Sequence, residues 1–201
     1  MATHNLKTPL FEQDIASVNA GDVVYITGTI YTARDEAHLR ILEYDAENKP
    51  LPFDLSGAVI YHCGPVMEKK EDGWKAVAAG PTTSDRMTKM TPAVLKNHDI
   101  HVLIGKGGMI GLAETMKERK CIYLSYTGGC AALAVDMIQN VQNVSWEDLG
   151  MPEAVWEIQV ENFGPLIVGT DTKGNDLFRD VKEKAAAVFQ KQFEQKDQRD
   201  E

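Results

Sequence analysis

Two short stretches hold the residues best suited to chemistry: GPTTSDRM, from Gly80 to Met87, and GKGGM, from Gly105 to Met109. Each sets a cation, Arg86 or Lys106, inside a glycine-containing turn, and a third cation, Arg34, stands in TGTIYTARD with the same mix of hydroxyls and charge. An arginine fork grips a carboxylate through two parallel hydrogen bonds, while a lysine adds a compact point charge. Glycine lets backbone approach a ligand, because no Cβ intervenes. Thr82, Thr83 and Ser84 supply hydroxyls that cap a following helix or donate to a ligand. Together these residue types suit a small dianion. A lone Arg or Lys is ordinarily a solvated surface charge; the recurrence of one in three equivalent turns is what points to a site. His38, four residues after Arg34, shares a helix face with it and reads as structural.

Such turns need a strand before them and a helix after them. DVVYITG (Asp22 to Gly28), AVIYHCG (Ala58 to Gly64), IHVLIG and CIYLSYTGG are β-branched apolar runs ending near glycine, and read as strands. ARDEAHLRILEYDAEN, MIGLAETMKER and CAALAVDMIQN follow with helical spacing. GPVMEKKEDGWKAVAAG reads as a hairpin turning at Asp72-Gly73, and RMTKMTPAVLKNH as helical with an interruption before Pro92. AVWEIQVENFGPLIVGTD reads as two strands broken at Gly164-Pro165, and the last segment as a helix dissolving into a charged tail. The alternation predicts an α/β fold with right-handed crossovers and leaves strand order open. It divides the chain into an N-terminal segment over 1–20, a single α/β domain over 21–177, and a C-terminal helix and tail over 178–201. TGTIYTARD, AAGPTTSDRM, LIGKGGM and SYTGGCA then share one design, a strand end followed by glycine, hydroxyls or cations and a helix start. In open α/β sheets ligands bind at such strand ends, where helix N-termini offer unpaired N–H groups to an anion.

Whole-chain properties narrow the function. The 201 residues carry a net charge of −9, the wrong sign for a nucleic-acid or anionic-membrane surface. Short-range cations can still overcome that field for a small anion. No apolar run reaches the ~18 residues of a membrane span, and MATHNLKTPLFEQD lacks the apolar core of a secretory signal. Cys63, Cys121 and Cys130 are far apart, with no C-x-x-C, so a reducing cytoplasm and small buried thiols are expected. A P-loop requires a hydroxyl after its lysine, but Gly107 follows Lys106; a dinucleotide fingerprint from Gly105 requires glycine at 110, where isoleucine stands.

Taken in order, GDVVYITGTIYTARDEAH, LPFDLSGAVIYHCGP, GPTTSDRM, GKGGM, GGCAALA, LGMPEAVW and FGPLIV resemble the β subunit of class I iron–sulfur hydro-lyases. That family comprises two-subunit fumarate hydratase and L(+)-tartrate dehydratase. The resemblance spans about Gly21 to Asn175. It implies a swivelling β/β/α domain, a mixed sheet with flanking helices, and reversible hydration of fumarate to (S)-malate. The close alternative is dehydration of tartrate to oxaloacetate; a non-catalytic assembly subunit is the alternative of another class. The four-iron four-sulfur cluster is implied on a partner α subunit, held there by three cysteines and acting as a Lewis acid, with no metal on this chain. A homodimer or α2β2 assembly is expected. Carried over by motif, Arg34, Arg86 and Lys106 match substrate-carboxylate contacts, Thr82 the proton-transferring residue, Thr83 a further substrate contact, and Gly107 and Gly108 a close backbone approach. A threonine hydroxyl is a poor base unaided. An activating carboxylate is therefore expected from the partner, with Asp35 the candidate in this chain unless it caps or pairs locally.

Overall fold

Runs of valine and isoleucine become parallel strands, and the segments between them return the chain to the next strand start. The computed structural model describes the backbone of residues 1–197 and the side chains of residues 1–190. In order the elements are β1 (Thr3–Lys7), α1 (Glu12–Ile15), β2 (Val23–Thr32), α2 (Asp35–Ala46), β3 (Ala58–Tyr61), β4 (Val66–Lys70) and β5 (Gly73–Ala78). A 3-10 turn at Ser84–Met87 precedes α3 (Thr91–Asn97), β6 (Ile100–Gly105), α4 (Ala113–Glu118), β7 (Ile122–Ser125), α5 (Ala131–Asp136) and β8 (Ile138–Ser145). After a second 3-10 turn at Glu147–Leu149 come β9 (Val155–Thr170) and α6 (Leu177–Asp197). The charged tail read beyond Asp197 lies outside the described residues. None of the described helices is long and apolar enough to cross a membrane.

The strands β2, β3, β6 and β7 pair in parallel, in that order, and β9 pairs antiparallel with both β7 and β2. This closes a five-stranded ring, with β1 added parallel to β2 and β8 antiparallel to β9. Alternation along the strands sorts the core into two layers. Val59, Tyr61, Val102 and Ile104 join β9 residues such as Ile158, Val160 and Phe163 in one apolar cluster. Ile60, Ile100 and Leu103 face the other way, against Ala37 and Ile41 of α2, Val94 and Leu95 of α3, and Met116 of α4. The mixed sheet with flanking helices agrees with the expected fold class, and the parallel order sets the C-terminal ends of β2, β3, β6 and β7 side by side.

Four expectations change. Strand β2 runs four residues past Gly28, which sits at φ +119 beside a register shift against β9; the glycine marks an irregularity inside the strand, not its end. The helix expected to run through Met137–Asn140 stops at Asp136, and β8 follows. Ile138, Val141 and Val144 recur every third residue, a helical spacing, but two register shifts against β9 reconcile it with a strand. Strand β9 is continuous through Gly164-Pro165, because a bulge opposite Val24–Ile26 takes that pair out of the ladder. Helix α4 starts at Ala113, leaving Met109–Leu112 as a turn.

Candidate active site

Arg34 stands immediately before α2, with extended backbone at φ −119. It is fixed from several sides. Its carbonyl accepts a hydrogen bond from Nδ1 of buried His38 at 2.7 Å, and its guanidinium lies against Gly64, where any Cβ would collide with it. Arg34 Nε is 3.3 Å from Glu153 Oε1, while Glu153 Oε2 accepts the Glu36 N–H at 3.1 Å and so caps α2 from another segment. Asp35 faces Arg86: the Arg86 Nε–H donates to Oδ1 at 3.1 Å, and Nη2 lies 2.9 Å from Oδ2. Asp35 thus pairs locally, the second of the two roles the sequence left open.

The threonine turn and the lysine turn form one short ladder. The Thr82 N–H donates to the His62 carbonyl at 2.7 Å, the Lys106 N–H to the Thr82 carbonyl at 3.1 Å, and the Ser84 N–H to the Lys106 carbonyl at 3.1 Å. The ladder commits the Thr82 backbone while its half-buried side chain, the exposed Thr83 hydroxyl and the Lys106 ammonium make no hydrogen bond or ion pair among the described residues. Thr83 occupies the cap position of the 3-10 turn but makes no capping bond. Gly107 adopts φ +71, a left-handed conformation that favours glycine, and Gly108 packs under Phe178, whose ring a Cβ would meet at 2.6 Å. The fourth turn joins too: a Cβ on Gly128 would lie 3.7 Å from Lys106 Cδ, and the Ala79 N–H donates to the Ala131 carbonyl at 3.0 Å.

All four expected turns therefore converge, in two linked groups. Arg34 and Arg86 meet through Asp35, and Thr82, Thr83, Lys106 and Gly107 meet through the ladder; Ser84, at the start of the turn that carries Arg86, connects them. Sequence reasoning missed Glu153, His62 and Tyr123. His62 Nδ1 lies 2.8 Å from Ser84 Oγ, and Tyr123 Oη lies 3.0 Å from Ser84 Oγ and 2.9 Å from the Gly107 carbonyl. Burial drives the His62 imidazole well below its usual pKa, with nearby His38 adding to the effect, so the ring is neutral. The one available signal was a histidine at the end of an apolar strand, in IYHCG. Buried side-chain polar atoms nearly always find a partner. Among the described residues four make no hydrogen bond, and three of these belong to this site: Arg34 Nε and Asp35 Oδ2, which have only the ion-pair contacts given above, and His62 Nε2, which has no partner at all.

Cations with an open fork edge, free hydroxyls and glycine backbone can hold a small dicarboxylate. The described residues of this chain do not fit an iron–sulfur cluster. Among the described residues no group of three His, Cys, Asp or Glu is placed to hold a metal. Cys63, Cys121 and Cys130 are buried, Cys121 in a different layer from the other two, and burial pushes the Cys63 and Cys121 thiols far above their usual pKa.

Comparison with known proteins identifies the family of the chain. The family model described as Fumarase C-terminus matches residues 2–181. A provisionally named L(+)-tartrate dehydratase subunit beta of Methanocaldococcus jannaschii is 48% identical over 177 residues, covering 87% of this chain and 91% of that protein. The L(+)-tartrate dehydratase subunit beta of Escherichia coli K12 is 40% identical, covering 88% and 87%. A provisionally named class I fumarate hydratase of Geobacillus stearothermophilus is also 40% identical, over 94% of this chain but 36% of that longer protein. A match over nearly the whole domain, which takes in all four turns, shows that the chain belongs to the fumarase C-terminus family, among the β subunits of the class I fumarase and tartrate dehydratase hydro-lyases.

Proposed function

We propose that this chain is the β subunit of a two-subunit hydro-lyase that reversibly hydrates fumarate to (S)-malate, and that it supplies the grip on the substrate carboxylates. The observation that carries the reading is the convergence of Arg34, Arg86 and Lys106 with two threonine hydroxyls, unengaged among the described residues, at one end of the strand ring. Removing a proton beside a carboxylate builds negative charge on that carboxylate, so cations fixed there beforehand lower the barrier. Lys106, without a carboxylate partner among the described residues, and the edge of Arg86 turned away from Asp35 take that charge. The Thr82 hydroxyl holds or moves the proton. Because Asp35 is engaged by Arg86, the carboxylate that activates Thr82 is assigned to the partner, together with the four-iron four-sulfur cluster. Arg34, Thr83 and the Gly107–Gly108 backbone complete the substrate contacts. The assembly works in the cytoplasm, with α2β2 as the proposed form.

L(+)-tartrate is the second reading, favoured because the relatives that match this chain over most of their own length bear that name. The two substrates differ by hydroxyl groups, not by carboxylates, so the cations serve either. The test is anoxic assay of the purified chain, alone and after addition of its cluster-bearing partner, with fumarate, malate and tartrate. Turnover only in the complex is expected. Turnover by this chain alone, without metal, would overturn the proposal.

A further inference from the structure

Beneath the cationic turns runs a line of three side chains, His62, Ser84 and Tyr123, each 0% exposed. Their hydrogen bonds admit one direction. The Gly107 carbonyl can only accept, so the single hydroxyl proton of Tyr123 goes to it, across 2.9 Å. Tyr123 Oη then accepts from Ser84, across 3.0 Å, and Ser84, its proton committed, accepts from His62 Nδ1–H across 2.8 Å. The neutral His62 ring therefore leaves Nε2 bare, in agreement with its burial without a partner among the described residues. Room for this line depends on Gly105, because a Cβ there would collide with the Ser84 hydroxyl.

The line ends on a peptide that faces the site. In a trans peptide the C=O of Gly107 and the N–H of Gly108 point in opposite directions. With the carbonyl drawn inward to Tyr123, the Gly108 N–H is turned outward, and it donates to no acceptor among the described residues. We propose that His62, Ser84 and Tyr123 are positioning residues that lock the Gly107–Gly108 peptide with its N–H toward the bound dianion and pin the lysine turn to the threonine turn. This rests on the dicarboxylate reading above, and it adds a backbone donor to the cations.

The test is Tyr123→Phe, with Ser84→Ala as a second variant should the first fail to fold. In the full chain, hydrogen exchange at the Ser84 and Lys106 amides should accelerate about tenfold, with amides of β2 and β9 unchanged. In the assembled complex, kcat/KM for the dicarboxylate should fall about tenfold or more. His62→Asn, whose amide nitrogen stands where Nδ1 stands, should retain most activity, and His62→Leu should lose it. Unchanged exchange overturns the lock, and so does accelerated exchange with wild-type kcat/KM, because that result describes a packing contact alone. Should the wild-type complex turn over no four-carbon dicarboxylate, the substrate reading fails, and exchange in the full chain still decides whether the lock exists.

Discussion

Asp35 offers a test by sign. It engages the Nε–Nη2 edge of Arg86, which leaves the guanidinium's other edge, Nη1 with the second Nη2 proton, to face a ligand. If Asp35 orients that fork, Asp35→Asn frees a side chain that is 51% exposed to explore its rotamers, and the substrate must then immobilise it. That costs about 0.5–1.5 kcal/mol, a two- to twelvefold loss in kcat/KM. If Asp35 instead competes with the substrate for the fork, its neutralisation raises affinity, by up to about fivefold for a pair worth at most about 1 kcal/mol. The geometry favours the orienting role, so a fall is expected. Arg86→Ala should fall further, about 10- to 150-fold, because it removes a charged hydrogen bond worth about 1.5–3 kcal/mol. Adding Asp35→Asn to Arg86→Ala should then change little. The assay is anoxic fumarate hydration by the assembled complex, with melting temperature as the control; the exposed pair should shift it by a few degrees at most. A rise in kcat/KM for Asp35→Asn refutes the reasoning, as does an undiminished loss on the Arg86→Ala background.

Three further outcomes are expected. Lys106→Met should leave the melting temperature of the chain unchanged, since Lys106 has no ion pair to lose among the described residues, yet lower kcat/KM of the complex about tenfold or more; wild-type turnover would remove Lys106 from the site. Thr82→Ser should retain more activity than Thr82→Ala or the near-isosteric Thr82→Val, because the ladder uses only the Thr82 backbone; equal rates in all three would show the hydroxyl to be idle. At the opposite end of the strands, the Asp22 carboxylate accepts the Ala2 N–H, bonds His4 and accepts the Asn19 N–H, and these hold its pKa below the usual carboxylate range. A depressed acid stabilises the fold above its unfolded pKa of about 3.9 and loses that contribution as pH falls toward its folded value. Below about pH 4, exchange of the β1 amides should therefore accelerate before that of β6, and Asp22→Asn should abolish the difference.

What could be read from the chain and what could not divide along a physical line. IHVLIG and CIYLSYTGG declare themselves because both faces of their strands are buried, which demands continuous apolar runs. The cationic turns are equally local, since glycine, hydroxyl and charge lie within a few residues of one another. Strand β8 was hidden because register shifts make a three-residue apolar spacing serve a strand, and closure of the ring through β9 depends on pairings across more than 100 residues, from Val23 to Ile167. The partners of the site residues were hidden for the same reason. Glu153 reaches Arg34 and α2 from a segment more than a hundred positions away, and Tyr123 meets Ser84 only because β7 lies beside β6. Local sequence thus names the groups that can touch a ligand, whereas the groups that aim them are assigned by closure of the sheet. Replacements at Arg86, Lys106 and Thr82 should accordingly change rate with little change in stability, while those at Ser84, Tyr123 and Gly105 should change both, because the latter residues hold the turns together as well as orient them.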